Sequence, residues 1–150
     1  MRNVRRIVCA DGRDGKSKAI HDGPAPDVRT DPARPGFSST LIWATDSTPA
    51  RIARKPARLP HPFSPPPGGS LCRVVTLPPD RDGRRLTEQS RTLDFCLVLE
   101  GERVLLLDDG ERVLKPGDVV VQLGNWHGWT NPRSGSLMAF VMMGAALENK

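Results

Sequence analysis

Of the three histidines in the chain, only His127 has neighbours that suggest a site; it lies in Gly124-Asn125-Trp126-His127-Gly128-Trp129-Thr130-Asn131. In extended backbone successive side chains alternate sides, so Trp126 shares a face with Gly128, and His127 with Trp129. An imidazole titrates near neutrality and also ligates metals. His127 therefore has three readings: a proton carrier, a metal ligand or, as lone histidines ordinarily are, a hydrogen-bonded structural residue. Trp129 reads either as packing or as a wall of an apolar small-molecule pocket, and Trp126 is expected in the core or in a dimer contact. His21 and His61 fall in polar or proline-rich segments and are expected to be exposed. Cys9, Cys72 and Cys96 are far apart and form no Cys-x-x-Cys pair, which argues against a disulfide framework and a zinc knuckle. They read as free thiols, with Cys72 and Cys96 buried, and Met138, Met142 and Met143 read as core filling.

The elements that must position these residues are strands. From residue 71 onward short apolar runs follow one another at Leu71–Leu77, Leu93–Leu99, Arg103–Leu107, Arg112–Leu114, Val119–Val121 and Leu137–Met143. None has helical periodicity, and Gly, Pro, Asp or Asn bounds each one. Asp108-Asp109-Gly110 and Glu100-Gly101-Glu102 supply the positive φ of tight turns, so the strands they join pair antiparallel. Ahead of residue 71, Val4–Cys9, Lys16–Ile20 and Phe37–Ala44 have strand composition. Thirteen of the 15 prolines precede residue 80, and the two dense stretches, Gly23–Pro35 and Pro49–Gly69, are expected to be long loops. The fold class is all-β: an antiparallel barrel or jelly roll, which hides the edges an open sheet would expose.

With 150 residues the chain is long enough for one domain with a real core. Residues 1–70 are expected to add strands and loops to a barrel formed by residues 71–144, with 145–150 a frayed tail. No apolar run approaches the length needed to cross a bilayer, and the N-terminal run is too short for a signal peptide; the expectation is a soluble, cytoplasmic protein without a membrane partner. The net charge of +5 conceals an asymmetry, with 16 Lys and Arg against 8 Asp and Glu in residues 1–85, and 6 against 9 thereafter. The arginines are scattered through a Pro, Gly and Asp background without a basic helix. That reads as a solvated surface and not as a nucleic-acid site.

Two stretches carry a family resemblance. Asp94-Phe95-Cys96-Leu97-Val98-Leu99-Glu100-Gly101, and Pro116-Gly117-Asp118 followed by Gly124, His127 and Asn131, resemble the two motifs of the cupin superfamily, small β-barrels whose interior usually holds a metal. The resemblance covers about residues 71–144. The segments Asp22–Pro26 and Trp43–Pro49 are also similar to those of single-domain bacterial cupins. The departures bear on chemistry. Glu88 and Ser90 stand where the family has two histidines, Gln122 replaces a proline, and Gly117 to Gly124 is one residue short.

The resemblance implies an inward Asp94 on the strand facing His127. Glu88, Asp94 and His127 then form an oxygen-rich set of one nitrogen and two carboxylates, so the cofactor expectation is none or a weakly bound divalent metal. The same Asp94 and His127 are expected as catalytic residues, since an imidazole beside a carboxylate is the arrangement a general acid–base pair needs without any metal. Glu88, Gln122, Trp129 and Asn131 are the expected ligand-binding residues. Two functions stay open: a cupin-type enzyme on a small organic substrate, non-redox in kind (lyase, isomerase or decarboxylase), and a non-catalytic binding or sensing barrel that has lost its metal centre. A homodimer is expected as well, because the N-terminal strands have no tight turn to the barrel and must cover some sheet edge, their own or a neighbour's.

Overall fold

The computed structural model describes residues 3–80, 91–131, 133–146 and 148, together with the backbone of 87–88. Among the described residues twelve strands follow in order: β1 (Arg5–Asp11), β2 (Ser17–Pro24), β3 (Asp27–Thr30), β4 (Ser38–Thr45), β5 (Ser70–Leu77), β6 (Thr87–Glu88), β7 (Thr92–Gly101), β8 (Arg103–Leu107), β9 (Gly110–Leu114), β10 (Val119–Leu123), β11 (His127–Thr130) and β12 (Ser136–Gly144). They form a six-stranded sheet in the order β10-β7-β12-β5-β4-β3, a four-stranded sheet β6-β11-β8-β9, and a separate β1-β2 hairpin. Every pairing is antiparallel, and the all-β jelly roll expected from the turn chemistry is the fold observed.

The alternation of strand side chains decides what faces inward. On β7 Thr92, Asp94, Cys96 and Val98 are buried while Phe95 and Leu99 are exposed. On β12 the buried set is Ser136, Met138, Phe140 and Met142. Met143, expected in the core with them, falls on the other phase of the pleat and is half-buried. Cys72 departs from expectation in the same way, since the inward face of β5 belongs to Leu71, Val75 and Leu77. These residues join Leu105 and Leu114 of the smaller sheet in one apolar cluster.

Register then sets the neighbours in the barrel. One rung reads Gln122, Asp94, Met142 and Leu71; the rung beside it reads Val120, Cys96, Phe140, Arg73 and Leu41. Between β7 and β8, Gly101 has φ +72°, and a Cβ there would collide with the Gly135 carbonyl oxygen.

One expectation for the N-terminal half needs correction. Gly23–Pro35 is not loop throughout: β3 forms within it, bracketed by Pro26 and Pro32, and lies at the edge of the six-stranded sheet where a proline-flanked strand is tolerated. The β1-β2 hairpin extends neither larger sheet. Of the expected tail, residues 147, 149 and 150 lie outside the described residues, and the Ala145 N–H donates to the Arg91 carbonyl. Among the described residues no helix is long and apolar enough to cross a membrane.

Candidate functional site

Between the two sheets lies a cavity of roughly 930 Å³. β7 contributes Asp94 and Cys96, β11 contributes His127, Gly128 and Trp129, β5 contributes Arg73, Val75 and Leu77, and β12 contributes Phe140 and Met142. Arg103 at the start of β8 closes one corner with Asp80 and Arg34, and Phe63 reaches in from the proline-rich segment between β4 and β5. Asp94 is only 5% exposed and His127 3%.

His127 Nδ1 lies 2.9 Å from the Asn125 carbonyl oxygen. A carbonyl can only accept, so Nδ1 carries the proton of the neutral ring and the lone pair falls on Nε2. The tautomer is thus held by backbone two residues upstream. Ring contacts extend from His127 across the cavity. Its imidazole meets Trp129 edge-on at 6.1 Å, Trp129 meets Phe140 edge-on at 6.1 Å, and the Arg73 guanidinium lies 5.3 Å from the ring centres of both Phe140 and Phe63. Arg73 is accordingly held on an inward wall by aromatic faces, a cation–π arrangement that favours the charge where water is scarce.

Burial, reinforced by the charge of Asp94 and opposed by Arg73, pushes the Cys96 thiol up to about 12. Cys96 therefore stays a thiol at neutral pH, neither a thiolate nucleophile nor a ready metal ligand. Burial also draws Arg103 below its ordinary value, against the stabilising charge of Asp80, with Arg34 adding to the depression.

The remaining expected site residues take other places. Gln122 is buried beside Asp94 on the same rung but is not among the residues that line the cavity; its Oε1 accepts from Asn125 Nδ2 at 2.7 Å. Asn131 also stands outside the lining. Its Oδ1 accepts the N–H groups of Arg133 and Ser134, and its Nδ2 donates to the Glu102 carbonyl at 2.7 Å. It fastens the turn after β11 to the β7-β8 corner. Trp126, expected in the core or a dimer contact, is 55% exposed and so is not core. The Glu88 backbone pairs opposite His127, whereas its side chain, like the whole of Ser90, lies outside the described residues.

A metal centre needs at least three converging donors, and among the described residues no group of three His, Cys, Asp or Glu side chains is placed to hold an ion. Of the three expected ligands, Asp94 and His127 line the cavity, and the Glu88 side chain lies outside the described residues. Sequence reasoning also missed two cavity residues, Arg73 and Arg103. Each left a signal: Leu71, Arg73, Val75 and Leu77, and likewise Arg103, Leu105 and Leu107, place a charged residue in phase with an apolar face.

No family model matches the chain. Similarity to individual proteins is clear. Phomopsin biosynthesis cluster protein C' of Diaporthe leptostromiformis is 47% identical over 66 residues, 43% of this chain and 34% of the relative. Oryzines biosynthesis cluster protein J of Aspergillus oryzae is 31% identical over 137 residues, 86% of this chain and 75% of its own length. The cupin-domain-containing oxidoreductase virC of Hypocrea virens is 31% identical over 117 residues, 75% of this chain and 59% of its own. The chain belongs to the cupin superfamily. This cupin spans about a third of the Phomopsin-cluster relative it matches. Its fold is shared with KdgF from a Halomonas species, at a TM-score of 0.53 and 17% identity over 81% of this chain and 90% of that one.

Proposed function

We propose that the barrel cavity is the active site of a non-redox, acid–base enzyme that acts on a small organic substrate by proton transfer, as a lyase, isomerase or decarboxylase. The observation that carries this reading is that two proton-exchanging groups, Asp94 from one sheet and His127 from the other, both more than nine-tenths buried, line the same cavity. With Nδ1–H committed to the Asn125 carbonyl, His127 exchanges its proton at Nε2. Asp94 supplies the negative charge that offsets the imidazolium formed when Nε2 takes a proton. Trp129, Phe140 and Met142 present an apolar wall against which the body of a substrate packs.

The test is hydrogen exchange in deuterated water. The protein, treated with a chelator, is incubated with a set of small oxo- and hydroxy-acids, and mass spectrometry follows deuterium incorporation, elimination or loss of carbon dioxide. The reading expects at least one such reaction, abolished in a folded His127→Ala variant. Binding without turnover would point instead to a sensing barrel. The name of the virC relative favours a second reading, an oxidoreductase. That reading expects turnover only with added ferrous or another redox metal, and none in chelator.

A homodimer belongs to the same proposal. β10 is the outer strand of the six-stranded sheet, and Val119, Val121 and Leu123 on it, with Phe95 and Leu99 of β7, leave an apolar face exposed beside a strand edge. A second copy covers both features at once through a two-fold contact.

A further inference from the structure

The corner of the cavity at Arg103, Asp80 and Arg34 holds a charge imbalance. Arg103 is 1% exposed, yet its Nε and Nη1 have no hydrogen-bond partner among the described residues. Its one ionic partner among the described residues is Asp80, whose Oδ1 lies 3.5 Å from Arg103 Nη2 and also 3.5 Å from Arg34 Nη2. Asp80 has little more to give. Its Oδ2 already accepts the Thr130 hydroxyl and the Asn131 N–H, both at 2.6 Å. One carboxylate therefore faces two guanidiniums at long range, and a buried cation keeps three N–H donors without acceptors. Leaving such donors unmet is among the costlier arrangements in a folded protein.

We propose that Arg103 anchors the carboxylate of a ligand whose apolar body lies along Phe63, Phe140 and Trp129. A carboxylate brings the missing acceptors and one negative charge. Arg34, Arg103 and Asp80 sum to one positive charge, which a monoanion neutralises and a phosphate dianion overshoots. The other charged residues on the wall leave this balance in place: Asp31 caps the Ala33 N–H, and Asp94 and Arg73 stand on the β7-β12-β5 wall. The ligand's acid group at Arg103 and its apolar body on the ring contacts running to His127 orient it with one end fixed and the other toward the proton-exchanging nitrogen. The proposal rests on the cavity being a small-molecule site and not on its being catalytic.

The test compares 3-phenylpropanoate with its uncharged amide, 3-phenylpropanamide, by calorimetric titration of the full chain. A hydrogen bond to a charged group favours the acid by about 10- to 100-fold. Arg103→Met, which leaves Asp80 its contacts with Arg34, Thr130 and Asn131, is expected to remove that preference while leaving amide affinity unchanged; Arg103→Lys restores part of it. The acid–amide comparison on the unsubstituted protein stands even where a variant does not fold. Equal affinity for acid and amide, or an acid preference that survives Arg103→Met, overturns the role of Arg103 and leaves the small-molecule site intact. Binding of neither compound overturns both. Preference for the acid in a protein that shows no proton exchange upholds Arg103 and counts only against the enzyme reading.

Discussion

Cys96 shares the inward face of β7 with Asp94, and its suppressed ionisation ties the site to stability. The folded thiol holds its proton to about 12 while the ordinary value is 9.0, so the native state binds the proton more tightly than the unfolded chain. The contribution is complete below pH 9.0 and is lost as pH rises toward 12. Urea denaturation across that window should show stability falling by on the order of 1 kcal/mol per pH unit, and Cys96→Ala should flatten the slope. A slope that is unchanged in the variant would count against burial as the cause. His127→Ala, which removes a buried hydrogen bond to the Asn125 carbonyl, should cost roughly 1–3 kcal/mol in the same denaturation assay and leave the chain folded, while removing turnover. Circular dichroism with the exchange assay separates loss of chemistry from loss of fold.

At the level of elements, β5, β7, β8, β9, β10 and β12 are legible in the sequence because alternation and turn chemistry agree there, whereas the two residues of β6 are not. β8 falls where the apolar run put it, and the glycines at 101 and 110 have the positive φ their turns require. Gly101→Ala should cost at least about 1–2 kcal/mol, because the left-handed backbone is unfavourable for alanine and the added carbon meets the Gly135 carbonyl. β3 was hidden because flanking prolines mark a segment as irregular without revealing that a sheet edge can still recruit four residues between them. Motif spacing also located His127, Asp94 and Trp129. Spacing could not distinguish Asn131 as a ligand-binding group from Asn131 as a fastener, since that depends on which carbonyl of a distant turn comes within reach. Asn131→Ala, which strips several buried hydrogen bonds from one corner, should destabilise by roughly 1–3 kcal/mol in the same denaturation assay, whatever it does to ligand affinity.

For the whole molecule, the balance of edges and exposed apolar area argues for self-association. Sedimentation at micromolar concentration should give about twice the 16.4 kDa of one chain, and Val121→Lys, placed on the exposed face of the edge strand, should shift the mass toward one. A parent protein that sediments as a single chain would remove the dimer from the account. The cavity itself lies within one protomer, between its own two sheets, so the site does not depend on that outcome. Under the proposed function this cupin works through His127 and Asp94 without a tightly held metal. Elemental analysis of the purified chain should find far less than one equivalent of any first-row transition metal, removable by a chelator without loss of proton exchange; one firmly held equivalent per chain would show the proposal to be wrong.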